Sequence, residues 1–380
     1  MDRDKFINAK RIVIKLGTNI LRNDDGYASL SRIYSFIEDI SKLMKSGKEV
    51  ILITSGAVSF GRKRLNMENA QSTALKQACA AIGQSRLMSV YENGFDSNGI
   101  VAAQILLTED DFAIRKRYLS LRTTLNKILE LGAIPVINQN DTVSTIEIDA
   151  NFEQMQVCFS DNDKLSALVA SELDADLLVI LSDVDGLYDK NPKVDKSAVI
   201  IRKVDKVSDE ILALGTDASE GGRGGMRTKL EAAKVVTHFG GKVLIANGKI
   251  PYIINKIFSG EELGTMFLAQ KQNLTDKKRW IGYATNIIGK IVVNEGAKKA
   301  LEAEKSLLPI GMLDVIKDFK KGDVISILDE NKKEFARGIC NYDADACKKL
   351  LGKHSTDIVN ILGYKNYDAI ITRDNITILK

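Results

Sequence analysis

RIVIKLGTNIL, residues 11–21, decides the fold. Its first half is an almost unbroken run of Ile, Val and Leu, with no alternation of polar and apolar residues. A strand reads this way when both of its faces are covered. Five more runs share the character: EVILIT (49–54), IVAAQILL (100–107), AIPVIN (133–138), DLLVILS (176–182) and KVLIA (242–246). Amphipathic stretches separate them, such as SLSRIYSFIEDISKLMKSG (29–47) and TALKQACAAIGQSRLMSVYENG (73–94), with Gly47 and Gly94 at the expected C-terminal stops. Strand and helix in repeated alternation predict a three-layer α/β fold with a mostly parallel central sheet. Ligands of such sheets bind beyond the carboxyl ends of the strands, so the residues just after each apolar run are the candidates for chemistry.

Bulk composition narrows the class. The chain has 380 residues, 44% of them hydrophobic and 27% charged, with a net charge of +4. That describes a soluble globular protein of two or three domains, neither disordered nor strongly nucleic-acid-like. The four cysteines (Cys79, Cys158, Cys340, Cys347) form no CxxC pair and there are only two histidines, His238 and His354, so no protein metal site is suggested. Free thiols in a reducing compartment are the simplest account. The opening MDRDKFINAK has no apolar core, no run is long enough to span a bilayer, and a cytoplasmic location without membrane contact is expected.

The pattern changes near residue 262. KQNLTDKKRWIG (271–282) is polar and basic and reads as part of a connection. Beyond it, short strand-like runs (KIVVN, GDVISILD, AIITRDNITIL) surround one helical stretch, DADACKKLLG (343–352). The expected organisation is a catalytic α/β domain at 1–262, a linker at 263–276 and a small β-rich domain at 277–380. That last segment holds 19 Lys and Arg against 14 Asp and Glu, while the rest holds 35 against 36. The basic excess thus lies in the C-terminal segment. It is modest, and fits a solvated surface as well as a polyanion partner.

Four strand ends carry unusual residues. Lys15 lies inside the first apolar run with Gly17 at its end. Burying a lysine unpaired is costly, so it either snorkels from an edge strand or is a fixed cation aimed at a phosphate, with Gly17 letting backbone amides approach. After the second run, Ser55, Gly56 and Ala57 open a helix and could cradle an anion, although a plain Ser N-cap accounts for them too. After the fourth come Asn138, Asn140 and Asp141. A second polar cluster, Asp161, Asn162 and Asp163, precedes a helix that Asp163 could cap. Together these two clusters suit recognition of an amine and a carboxylate, with Asp141 on the ammonium and Asn162 able to donate or accept. After the fifth, SDVDGLYDKNP (182–192) places Ser182 and Asp183 at a turn that could line a nucleoside pocket.

GGRGGMRTKLEAA (221–233) adds a glycine loop followed by a helix with Lys229 in its first turn. The order of a Walker loop is not met. A flexible turn and a cation at a helix start still suit an anion, most often phosphate. Lys15 and Lys229 could flank one phosphate chain, where catalysis is mainly positioning and electrostatic stabilisation. A carboxylate acceptor is already ionised at neutral pH, since a free Glu has a pKa of about 4.3, so no general base is needed. Neither histidine lies near a motif.

KLGTNIL, TSGAVSFG, AAIGQSRL, PVINQNDTVS, SDNDKLSALVA, SDVDGLYDKNP and GGMRTKLEAA, taken in order, resemble the motifs of the amino acid kinase family over residues 8 to about 262. KRWIG, SLLPIG, GDVISI, ARGICNY and ILGY…ITRDN resemble a PUA domain. The resemblance implies a kinase fold with a PUA-like domain appended. It points to the branch of the family that phosphorylates the side-chain carboxylate of L-glutamate with ATP, on the way to proline. It implies Lys15 and Lys229 as the phosphate-neutralising catalytic pair and Asp163 as the carboxylate that organises them. Ser55, Gly56, Ala57, Asp141 and Asn162 become glutamate contacts. Lys15, Gly17, Ser182, Asp183, Arg223, Gly224, Gly225, Met226, Arg227, Thr228 and Lys229 become ATP contacts. Mg2+ rides chiefly on the nucleotide, so no protein metal ligand is named. Proline inhibition at the glutamate site and a dimer or tetramer are also implied.

One departure stands out. Arg223 occupies the place where the family's loop usually carries Thr, which exchanges a hydroxyl for a cation and leaves the fine nucleotide contacts open. Two alternatives remain. PUA domains occur in RNA-modifying enzymes, but residues 277–380 lack a strong basic stripe and hold few aromatics, implying at most a weak RNA contact. A sister kinase acting on N-acetylglutamate or aspartate would share the fold, and Asp141 discriminates, because only a free ammonium rewards a nearby carboxylate.

Overall fold

In the computed structural model, described residues are 8–67, 72–143, 162–192, 194–215, 225–270, 275–284 and 287–379. They fall into two compact units. The first takes residues up to 111, 118–143 and 162–270; the second takes 112–117 and 275–379.

The six apolar runs form β1 (Arg11–Leu16), β2 (Glu49–Ile53), β3 (Ala102–Leu107), β4 (Ile134–Gln139), β5 (Leu177–Ser182) and β7 (Lys242–Asn247). With β6 (Lys203–Val204) and β8 (Thr265–Phe267) they build an eight-stranded sheet in the order β3-β4-β2-β1-β5-β7-β8-β6. Every pairing from β3 through to β7 is parallel, and β8 runs antiparallel to β7. Every residue of β4 and β5 is buried, as a run covered on both faces requires, but β3, from a run of the same character, is a half-exposed edge strand. β8 lies in the stretch read as linker. Its three residues are fully integrated into the sheet between β7 and β6, and three residues are too few to show a strand pattern.

Alternation along β1 sends Ile12, Ile14 and Leu16 to one face. There they join Ile33, Phe36 and Ile37 of the Leu30–Lys45 helix and Leu87, Tyr91 and Phe95 of the Thr73–Asp96 helix. Val13 and Lys15 point to the other face, where the Asn162–Glu172 helix packs on β1 and β5 and against the Met226–His238 helix.

The helix at 73 ends later than Gly94 predicts. Gly94 sits inside it because a Cβ there would lie 2.6 Å from Ile37 Cδ1; it marks a close helix crossing, not a stop. Gly47, at φ +86, does follow the end of its helix. A tighter crossing occurs at Gly83, where a Cβ would meet the Ala57 carbonyl oxygen at 1.8 Å. Backbone cannot yield as a side chain can, so Gly83→Ala is expected to destabilise the first unit by about 3 kcal/mol. Urea denaturation measures this, and a loss below about 1 kcal/mol would mean that the two helices separate easily.

The second unit holds a five-stranded sheet ordered β10-β9-β11-β12-β13: β9 (Gly289–Val293), β10 (Met312–Ile316), β11 (Val324–Leu328), β12 (Glu334–Ile339) and β13 (Ile376–Ile378). Ile291, Val293, Ile325, Ile327, Phe335 and Ile370 contribute to its own core, which makes the β-rich expectation correct.

Candidate active site

Six parallel strands end side by side, and β1 lies inside the set between β2 and β5. The chain leaves β1 towards β2 on one side and returns at β5 on the other. That reversal of strand order opens a crevice at the carboxyl ends, where α/β sheets bind their ligands.

Lys15 is the penultimate residue of β1 and only 3% exposed, which rules out the snorkelling edge-strand reading. Its Nζ lies 2.6 Å from Oδ1 of Asp163, a residue with no exposure at all. The other carboxylate oxygen, Oδ2, accepts from Lys229 Nζ at 3.0 Å and from the Thr228 hydroxyl at 3.0 Å. Asp163 sits in the first turn of the Asn162–Glu172 helix, so its side chain is no N-cap; it joins two lysines from distant parts of the chain. Two cations around one anion leave the buried cluster with a net positive charge, arranged to receive a further anion. A lone buried pair would be close to self-sufficient.

Gly17 continues β1, its amide donating to the Leu181 carbonyl at 3.0 Å. A Cβ at Gly17 would meet the Leu181 carbonyl oxygen tightly at 3.3 Å and touch Lys15 Nζ in ordinary contact at 3.8 Å. Across from it, the Asp183 carboxylate accepts from Asn19 Nδ2 at 2.9 Å and from the Ser182 hydroxyl at 3.1 Å. Partial desolvation pushes this carboxyl up, but those hydrogen bonds, one from its own amide, and the nearby Lys229 ammonium together hold it below the usual carboxylate range.

A second polar cluster adjoins the first. Asn162 Nδ2 faces the Thr54 carbonyl at 2.8 Å, Ser55 Oγ at 2.9 Å and Asn138 Oδ1 at 3.0 Å. Asn138 in turn donates to Gln84 Oε1 at 2.8 Å. Ser55 is therefore an acceptor for Asn162 and not an N-cap. The cap of the Ala57–Arg64 helix is Gly56, at φ +101, a conformation that favours glycine. The first amides of that helix have no intrahelical acceptor and face the same end of the sheet. Asn162 Oδ1 is buried with no partner among the described residues. Asp141 lies half-buried just past the end of β4, the strand beside β2.

A model of the amino acid kinase family matches residues 10–247. The chain belongs to the amino acid kinase family. A PUA domain model matches residues 289–362, within the second unit. The chain is 42% identical over 373 residues to a protein named glutamate 5-kinase from Thermoanaerobacter sp. strain X514, covering 97% of this chain and 98% of that one. It is 43% identical to another so named from Syntrophotalea carbinolica, over the whole length of both. A solved UMP kinase from Bacillus anthracis is similar at 16% identity and a TM-score of 0.46, over 70% of this chain and 99% of its own, too loose a likeness to add to the assignment.

In this amino acid kinase, Lys15, Asp163, Lys229 and Thr228 converge on one point, with Gly17 beside them and Ser182 and Asp183 at the rim. Gly225 caps the Met226–His238 helix, and its carbonyl lies 3.3 Å from Lys229 Nζ. Met226 is half-buried at that helix start. Arg227 does not join the group: its guanidinium pairs with Glu231 at 3.0 Å and reaches the Leu212 carbonyl at 3.3 Å. Arg223 and Gly224 lie outside the described residues, as does Asp161. Sequence reasoning missed Gln84 and Asn19 as members of these networks. Neither had a signal in the sequence: Gln84 is buried to 9% exposure by packing that local pattern does not show. Among the described residues there is no cluster of His, Cys, Asp or Glu suited to hold a metal, and no helix long and apolar enough to cross a membrane.

Proposed function

We propose that this chain is an ATP-dependent glutamate 5-kinase. It transfers the γ-phosphoryl group of ATP to the side-chain carboxylate of L-glutamate, giving L-glutamyl 5-phosphate and ADP, the first step towards proline. Full-length likeness to relatives of that name supports the substrate. The observation that carries the mechanism is the buried Lys15–Asp163–Lys229 cluster at the strand ends.

In this reading the acceptor carboxylate forms the new P–O bond while the bond to the β-phosphate bridging oxygen breaks, and ADP leaves with that electron pair. Lys15 and Lys229 stabilise the charge on the transferring group, and Asp163 holds both ammonium groups at the right separation. Gly17, Ser182, Asp183 and the segment from Arg223 to Lys229 hold the nucleotide. The residues fit a phosphate chain, since two buried lysines share one carboxylate at the strand ends. Mg2+, entering with ATP, supplies further charge neutralisation. Ser55, Gly56, Ala57 and Asn162 hold the glutamate, and Asp141 receives its ammonium.

Several wider features belong to the same proposal. The catalytic domain spans 1–262 together with β8, which follows in the segment read as linker, and the PUA-like domain spans 277–380. The enzyme is cytoplasmic, forms a dimer or tetramer, and is inhibited by proline at the glutamate site. The PUA-like domain has a structural or regulatory role, with any RNA contact weak.

ADP release is to be compared with L-glutamate, N-acetyl-L-glutamate and L-aspartate as acceptors, with hydroxylamine present to trap acyl phosphate. A hydroxamate from L-glutamate alone is expected. No turnover with any of the three would break the inference to substrate and bring RNA binding forward. For Asp141→Asn, KM for L-glutamate should rise about ten- to a hundredfold, the loss of one charge-assisted contact, while kcat changes little. An unchanged KM would remove Asp141 from the ammonium site.

A further inference from the structure

A cavity of about 400 Å³ opens in the first unit, lined by Arg22, Tyr27, Ser59, Arg62, Lys63 and Asn66 among others. It contains none of the residues assigned above to glutamate or ATP. Among the described residues that line it, three side chains are cations and none is a carboxylate. Two elements supply them: the Ala57–Arg64 helix, and the turn at 22–28 that Gly26 closes at φ +82.

Basic residues in the last turn of a helix commonly answer its dipole, and Arg62 and Lys63 occupy that turn. Such residues normally spread their charge into solvent. Here Arg62 Nε is buried with no hydrogen-bond partner among the described residues. Arg22, from the other element, turns towards the same space; it donates one N–H to Asn19 Oδ1 at 2.9 Å, leaving the rest of its fork unused. Lys63 lies over the Tyr27 ring, 4.6 Å from its centre, and a Cβ on Gly26 would come within 2.8 Å of Lys63 Cε, so the lysine stem is held in place by its neighbours. A hydroxyl (Ser59) and an amide (Asn66) add neutral donors.

We infer that this cavity is an anion site, distinct from the catalytic crevice, that takes a phosphate group carried by a small molecule. Three cations on the described walls match a dianion better than a single carboxylate, and guanidinium groups bind phosphate oxygens in pairs.

The test is titration calorimetry of the full chain with inorganic phosphate, both alone and with a non-hydrolysable Mg-ATP analogue saturating the phosphate positions of the active site. Saturable binding that survives occupation of the active site is expected. Arg62→Ala combined with Lys63→Ala should weaken it at least about tenfold and leave kcat within about twofold, since neither side chain serves the reaction. Ser59→Glu, which places a carboxylate among the cations, is the second variant and should abolish phosphate binding without unfolding the chain. Phosphate binding lost on adding the Mg-ATP analogue, equal binding by parent and variants, or binding of citrate but not phosphate, each overturns the proposal. Because the variants alter the cavity and the blocking ligand is a nucleotide, the outcome is independent of whether glutamate is the acceptor.

Discussion

Lys229→Ala is expected to lower kcat by about two to three orders of magnitude, with KM for glutamate little changed. Lys229 lies 5% exposed in a crevice where charge interactions are strong, and it shares Asp163 with Lys15. Charge on a transferring phosphoryl group is spread over its oxygens, so a cation held in advance acts mainly on the transition state. Arginine should not substitute well. A planar fork cannot replace a compact ammonium that touches Asp163 Oδ2 at 3.0 Å and the Gly225 carbonyl at 3.3 Å. The matching Lys15→Ala variant should fail comparably, and the double variant should be little worse than either, because the two act as one unit. Steady-state kinetics decide; a Lys229→Ala enzyme retaining more than about a tenth of parental kcat would exclude this lysine from the chemistry.

The second large effect is on stability. Asp163→Asn leaves two buried ammonium groups facing a neutral amide, and removing one partner from a buried ionic cluster costs about 3–5 kcal/mol. For a unit of this size that corresponds to a fall in Tm on the order of 10 °C. The loss should be partly recovered by Mg-ATP, because the bound phosphates return negative charge to the lysines. Calorimetric melts with and without Mg-ATP measure both parts. A variant as stable as the parent, or one that gains no more from Mg-ATP than the parent does, would show that Asp163 does not hold the lysines together.

Much of the scaffold could be read before folding was considered. β1, β2, β4, β5 and β7 were visible because a strand covered on both faces must be apolar at nearly every position. β6 and β8 are two and three residues long and carry no periodicity to detect. β10 (MLDVI) and β12 (EFARGI) place polar or charged residues on a solvated side, which dilutes the apolar signal. Gly94 was misread because a glycine at a helix stop and a glycine under a crossing helix look alike in one dimension; only Ile37, 57 residues earlier in the chain, distinguishes them.

The sequence by itself determined the α/β class, the β-rich second unit and the short list of polar residues at strand ends, since these follow from local periodicity and composition. Only the tertiary structure decided that Lys15 is central and buried, that Asp163 bridges Lys15 to Lys229, that Ser55 accepts from Asn162, and that Arg22, Arg62 and Lys63 meet around one cavity. The physical reason is the same in each case. Strand order and helix packing are non-local, and they set which charges share a desolvated space; that sharing, not the residue types alone, fixes whether a lysine is a solvated surface group or a held cation.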